Sequence, residues 1–232
     1  MITGTKLWVT SGTHADVFIV FVRTDAAAPP GKGITALVVE RGAPGFRVGK
    51  KEDKLGIRAS STTELVFEEC RVPAENVLGE VNKGYKVALH TLAGGRIGIA
   101  SQALGIAEAC LAASVKYAKE RKQFGRPIAE FQPIQWKLAE MAARIEGARL
   151  LVWRAAWLKD LDRPHAVESS IAKLEASRTA NFCAREAVQV HGGAGYLQDF
   201  PVERHLRDAR ITEIYEGTTE IQKLVIARHV LG

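Results

Sequence analysis

Tyr215-Glu216-Gly217 places a carboxylate between an aromatic residue and a glycine, in a short link ahead of a helix-forming run. A glutamate there is suited to proton abstraction if a dry, apolar setting raises its pKa toward neutrality. The adjacent glycine permits close backbone approach to a substrate. The same residues also read as a solvated glutamate before a helix capped by Thr218 or Thr219. A second stretch, QVHGGAGYLQDFPVERHLRD at 189–208, holds three glycines within four residues. One of them can close a helix, and glycines this dense also expose backbone N–H groups to phosphate or carbonyl oxygens. The stretch lacks the strand-before, helix-after context of a dinucleotide fingerprint. Arg96 is the third exception, a charge inside an apolar helical seam. That costs free energy unless the charge is paired, meets a ligand, or reaches water while its stem packs.

These residues need elements to hold them. Short β-prone runs at 6–10, 16–23, 34–40, 46–50 and 63–72 alternate with stretches such as AAAPPGKG and RGAPG. They predict an antiparallel β domain over 1–80. A strand starting almost at Met1 leaves open edges, the pattern of a chain that begins inside a fold. Beyond residue 80 the period becomes helical. Leu89, Leu92, Arg96, Ile99, Ala103, Ile106, Cys110, Ala113 and Tyr117 form one seam, and Ile134, Leu138, Met141, Ile145, Ala148, Val152 and Ala155 a second. Pro127 and Pro133 punctuate the link between them. A third helix is predicted from Pro164 to Val190 and a fourth over 219–230. The expected fold is α+β, a partial antiparallel β-barrel domain followed by an up-down four-helix bundle over 81–232.

Bulk properties exclude several classes. The 232 residues are 47% hydrophobic and 25% charged, ordinary values for a globular chain. Cys70, Cys110 and Cys183 form no CxxC pair, and the histidines show no HExxH spacing, so disulfide and metal sites are not expected. The net charge of +6 is spread along the chain, which suits a phosphate-bearing small molecule better than nucleic acid. With no secretory pattern at the start and no apolar run long enough to cross a bilayer, the expectation is a cytoplasmic protein without membrane insertion.

The glycine stretch also resembles the signature of acyl-CoA dehydrogenases. Gln189, Gly192, Gly193, Gly195, Tyr196, Asp199, Arg204 and Asp208 fill that pattern with every spacing kept. Trp8-Val9-Thr10 resembles the W-I-T/S strand beside the flavin, Arg121-Lys122-Gln123-Phe124-Gly125 the R-x-x-F-G loop, and Phe131-Gln132 the F-Q pair after it. ITEIYEGTTEIQ, at 211–222, resembles the Y-E-G-T-x-x-I-Q segment. The resemblance covers essentially the whole chain. It implies an FAD-dependent desaturation of an acyl-CoA thioester, with Glu216 as the base and an electron-transfer flavoprotein as acceptor.

By the same resemblance, Arg96, Tyr215 and Gly217 lie on the substrate side. Trp8, Thr10, Thr218 and Glu220 flank the flavin of their own subunit. Arg121, Gln123, Phe124, Gln132, Gln189, Gly192 and Gly193 meet a flavin across a boundary in a homo-oligomer, a dimer or tetramer. A minority of the family carries the base just before the bundle arginine, where this chain has Gly95. Two departures stand out. Ala93 occupies the slot of the family's usual D-x-x-R acid, which puts CoA binding in question. The all-helical first domain and the T-E-x-x-x-G-S-D-like loop are absent before Trp8. The resemblance therefore implies a fragment or shortened member that binds flavin weakly by itself. The alternative is a catalytically impaired member serving as an oligomerisation or CoA-binding module.

Overall fold

β-Branched and aromatic residues in alternation build two small sheets in a computed structural model that describes residues 1–232. The strands are β1 (Ile2–Thr10), β2 (Val17–Arg23), β3 (Ile34–Glu40), β4 (Phe46–Lys51), β5 (Thr62–Cys70) and the short β6 (Val77–Leu78). All pairings are antiparallel, in the orders β1-β5-β4 and β2-β3-β6. The inner faces share one core. Phe18 and Val20 of β2 and Val39 of β3 join Leu65 and Phe67 of β5. Phe46 bridges them, its ring 5.0 Å from both Phe18 and Phe67. Four of the five long strands fall within two residues of the predicted runs, while β1 starts four residues earlier, at Ile2. The strands form an open pair of sheets and no closed barrel, and β1, β2, β4 and the short β6 are edge strands.

The chain divides into two compact units, Met1–Thr91 and Leu92–Gly232. The helices are α1 (Gly84–Glu120), α2 (Gln132–Asp160), α3 (Ala166–His191), α4 (Val202–Ile211) and α5 (Thr219–Leu231). A two-residue hairpin, β7 (Lys122–Gln123) and β8 (Arg126–Pro127), links α1 to α2. The bundle core is rich in alanine. Ala100, Ala103, Ala107 and Cys110 of α1 meet Met141, Ile145, Ala148 and Val152 of α2 and Ala176, Ala180, Cys183 and Ala187 of α3. Small side chains let helix axes approach closely, and this shifts the α1 seam from its predicted line. Leu89 is exposed, Ile99 and Ile106 are half-buried, and Ala100, Ala107, Ser114 and Ala118 take the inner face.

Three further details depart from expectation. α4 lies where no helix is predicted, between the third and fourth expected helices; Pro201 and Glu203 begin it, and Arg207 Nε pairs with Glu203 Oε2 at 2.9 Å. α5 buries only Gln222, so a polar side chain and not an apolar seam docks the last helix. α1 contains an 18-residue window of mean hydropathy 1.4, apolar enough by length and composition to cross a membrane, contrary to the expectation of no such run. Its inner alanines sit in the bundle core, the pattern of a core helix.

Candidate active site

The link between α4 and α5 is bound at each step. Ser177 Oγ of α3 donates to Thr212 O at 2.8 Å, and Thr212 Oγ1 to Ala209 O at 2.7 Å. Thr219 N–H closes the loop onto Glu213 O at 2.9 Å. Thr218 caps α5, its hydroxyl accepting from Ile221 N–H at 3.5 Å. Between these anchors Glu216 and Gly217 are both left-handed, with φ of 54° and 94°. For a glutamate that conformation costs about 1–2 kcal/mol and must be held from outside. The Gly217 carbonyl accepts from Lys173 Nζ of α3 at 2.7 Å and from Gln222 Nε2 of α5 at 2.8 Å.

This turn sets the carboxylate against α1. A Cβ built on Gly95 would lie 2.6 Å from Glu216 Oε2, so the absence of a side chain at 95 makes room for the acid. Arg96, the next residue, is 8% exposed, and its Nη1 donates to Ser170 Oγ at 3.1 Å. Its Nε has no partner. The guanidinium head is therefore buried, which rules out the reading of Arg96 as a packed stem with its head in water. Burial lowers the Arg96 pKa, and the Glu216 charge opposes that shift. The Tyr215 hydroxyl bonds to Gln102 Oε1 of α1, and its phenol is pushed up to about 12, chiefly by burial. Arg96, Tyr215, Glu216 and Gly217 thus meet at one place. Glu216 itself is exposed within this chain, so the dry setting expected of a base is not made by the chain's own side chains.

A second cluster forms at the other end of α1. Tyr117 stacks on His191 with centroids 4.2 Å apart, and Phe200 meets both edge-on. This joins the start of the 121–132 segment to the end of α3. Gly192, φ 59°, terminates α3, and Gly192–Tyr196 continue as a 3-10 turn. Cβ atoms on Gly192 and Gly193 would meet nothing within 4 Å, whereas one on Gly195 would lie 2.6 Å from Val188 O. Packing therefore demands Gly195 and leaves Gly193 free. Gly195→Ala is expected to lower unfolding free energy by about 1–3 kcal/mol in a urea titration, because backbone must move.

Arg121, Gln123, Gln132 and Gln189 are exposed, as are Gly192 and Gly193. Phe124 is 92% exposed at the tip of the hairpin, where Phe124 and Gly125 have φ of 53° and 81°. The stretch of α1 from Gly95 to Glu120 is roughly 37 Å long at about 1.5 Å rise per residue. The two clusters are thus far apart, while Thr218 and Glu220 stay with Glu216. Glu220 is exposed, its carboxyl held below the ordinary range by hydrogen bonds at the α5 N-terminus. In the first unit, Trp8 is 73% exposed with φ 57°, and Thr10 is exposed.

Lys173, Gln102 and Gln222 were not anticipated. Lys173 is wholly buried on the inner face of α3, among Ser169, Ala172, Ala176 and Ala180. It interrupts a seam of small residues just as Arg96 interrupts its own, and tracing that third seam would have exposed it.

The chain matches the family model "Acyl-CoA dehydrogenase, C-terminal domain" over residues 82–231 and "Acyl-CoA dehydrogenase, middle domain" over 1–70. It is 56% identical over 231 residues to the mitochondrial short-chain specific acyl-CoA dehydrogenase of Mus musculus, covering 100% of this chain and 56% of the relative. With the short-chain specific acyl-CoA dehydrogenase of Megasphaera elsdenii it shares 54% identity over 224 residues, 97% of this chain and 58% of that one. The structure of butyryl-CoA dehydrogenase from the same organism superposes with a TM-score of 0.98 at 53% identity, over 99% of this chain and 60% of that chain. The chain spans a little more than half the length of these relatives.

Proposed function

The chain belongs to the acyl-CoA dehydrogenase family, and from that premise we propose that it carries the base and part of the flavin cradle of an α,β-desaturase of acyl-CoA thioesters. The proposed substrate class is a short-chain acyl-CoA, as the names of its relatives indicate. Glu216 takes the α-proton. The observation that carries this reading is the Glu216 carboxylate set over Gly95, beside the buried guanidinium of Arg96. The Glu216 N–H has no partner within the chain and is free to donate to a thioester oxygen, polarising the carbonyl as the α-proton leaves. Arg96, Tyr215 and Gly217 bound the substrate side. Because Glu216 is exposed, bound substrate, cofactor and further protein must exclude water from it.

Bound FAD would supply a hydride acceptor for the β-carbon. The residues present fit such a group: Gly192 and Gly193 offer backbone with open space beside it, and Arg121 offers an exposed guanidinium suited to phosphate oxygens. Gln123, Phe124, Gln132 and Gln189 complete that cluster, while Thr218 and Glu220 serve the flavin beside Glu216; Trp8 and Thr10 are exposed on β1 of the first unit and available to a flavin. The length of α1 between the clusters supports two different flavins, and so a homo-oligomer, dimer or tetramer, in which each chain lends its hairpin to a neighbour. An electron-transfer flavoprotein is the proposed electron acceptor. The buried free cysteines suit a reducing compartment, and the cytoplasm is the proposed one.

The test is an absorbance spectrum of the protein with FAD, followed by addition of butyryl-CoA. Stoichiometric flavin that bleaches supports the reading. Flavin that binds but never bleaches favours the impaired, CoA-binding alternative, for which the exposure of Glu216 speaks. Gly193→Ala is expected to weaken FAD binding about tenfold without altering stability, because its methyl enters the open cradle and no backbone atom of the chain.

A further inference from the structure

Lys173 has no exposed surface, and its ammonium makes one hydrogen bond, 2.7 Å to the Gly217 carbonyl oxygen. Lysine is almost never buried without an opposite charge in contact. Here Glu213 and Glu216 of the link and Glu220 of α5 act on it only at longer range, and Arg96 of α1 adds a like charge. Gln222 already satisfies the same carbonyl at 2.8 Å, so the fold does not require a cation at this point. A buried unpaired charge is a burden that an apolar side chain of equal volume would remove. What the charge does achieve is a strong, charge-assisted bond to the peptide that follows Glu216, in a turn whose φ values favour release.

We propose that Lys173 is a positioning residue for the base: its buried ammonium pins the Gly217 carbonyl and keeps the left-handed Glu216–Gly217 pair, and with it the carboxylate, over Gly95. The proposal rests on Glu216 being the base. Burial lowers the ammonium pKa from 10.5 to about 8, so the pin weakens on the alkaline side of neutrality. The charged form also opposes folding below about pH 8, and this penalty is relieved as pH rises toward 10.5. A neutral replacement should therefore hold or raise the melting temperature, most clearly below pH 8.

The experiment compares wild type with Lys173→Met by amide hydrogen exchange over residues 212–222, melting temperature, and steady-state turnover of butyryl-CoA with FAD. The expected result is exchange about tenfold faster in that segment alone, from loss of one charge-assisted bond. Melting temperature should be unchanged or higher, and kcat about 10²-fold lower at similar KM. In wild type, protection of the segment, corrected for intrinsic exchange, should fall several-fold across pH 8; the variant should show no such step. That measurement needs no variant to fold. Unchanged exchange at 212–222 in Lys173→Met, or no step in wild type, would overturn the proposal. So would loss of protection throughout α1 and α3 with a lower melting temperature, which marks a merely structural lysine. If exchange responds as expected but Glu216→Gln turns over butyryl-CoA as fast as wild type, the pin stands and the assignment of the base fails.

Discussion

Glu216→Gln is expected to lower turnover of a short-chain acyl-CoA by about 10²–10⁴-fold, the range that a positioned general base contributes. The amide matches the carboxylate in shape but cannot accept the α-proton. Little else should change. Glu216 is exposed, and its carboxylate makes no hydrogen bond that the fold depends on. The backbone grip on the turn, through Lys173 and Gln222 on the Gly217 carbonyl, does not involve it. Affinity for acyl-CoA and for FAD should therefore stay within a few-fold of wild type. The measurement is stopped-flow bleaching of the flavin on mixing with butyryl-CoA, with binding followed separately by the spectral shift. Bleaching at the wild-type rate would remove Glu216 from the chemistry and leave only its kinship to explain.

Gly95→Ala should produce a nearly equal loss by a different route. The added methyl would stand 2.6 Å from Glu216 Oε2, well inside contact distance. The atom it meets is the end of a flexible side chain, so the clash is relieved by swinging the carboxylate away and not by moving backbone. A displacement of about 1 Å is enough to cost on the order of 10²-fold in rate. Stability should move the other way, because alanine inside α1 is favoured over glycine by up to about 1 kcal/mol. The signature is thus a slower but equally or more stable protein, with Gly94→Ala as comparison; a Cβ there meets only the end of Lys159, at 3.4 Å. A fall in melting temperature together with activity, or full activity at position 95, would show that this contact does not set the base.

These two substitutions bear on how an exposed acid could serve as the proposed base. The chain fixes where the carboxylate stands, through backbone bonds to α3 and α5 and an empty place on α1. It does not bury that carboxylate away from water. Orientation and drying are therefore separate contributions here.

Strand and helix positions were largely legible because both depend on neighbours in sequence. Alternation in VFIVFVR and ITALVVE marks β2 and β3 to within a residue, and the α2 seam from Met141 to Ala155 is buried as its spacing predicts. Even α4, which lies outside the expected helices, carried local signs, Pro201 followed by Glu203 just after the dense glycines. Arg96 stood out as an exception that needed a partner, and the Y-E-G-T segment pointed to the acid. The partners themselves were not legible. Gly95 is matched to Glu216, Lys173 to Gly217, and Gly195 rather than Gly193 to the end of α3, only because helices distant in sequence pack side by side. Periodicity along one helix reports which face is inward, but not which residue of another helix that face will meet. By itself the sequence determined most of the elements and the family resemblance, and offered Glu216 as the candidate acid. Tertiary packing alone decided that a buried lysine grips the turn, that a glycine makes room for the carboxylate, and that water still reaches it.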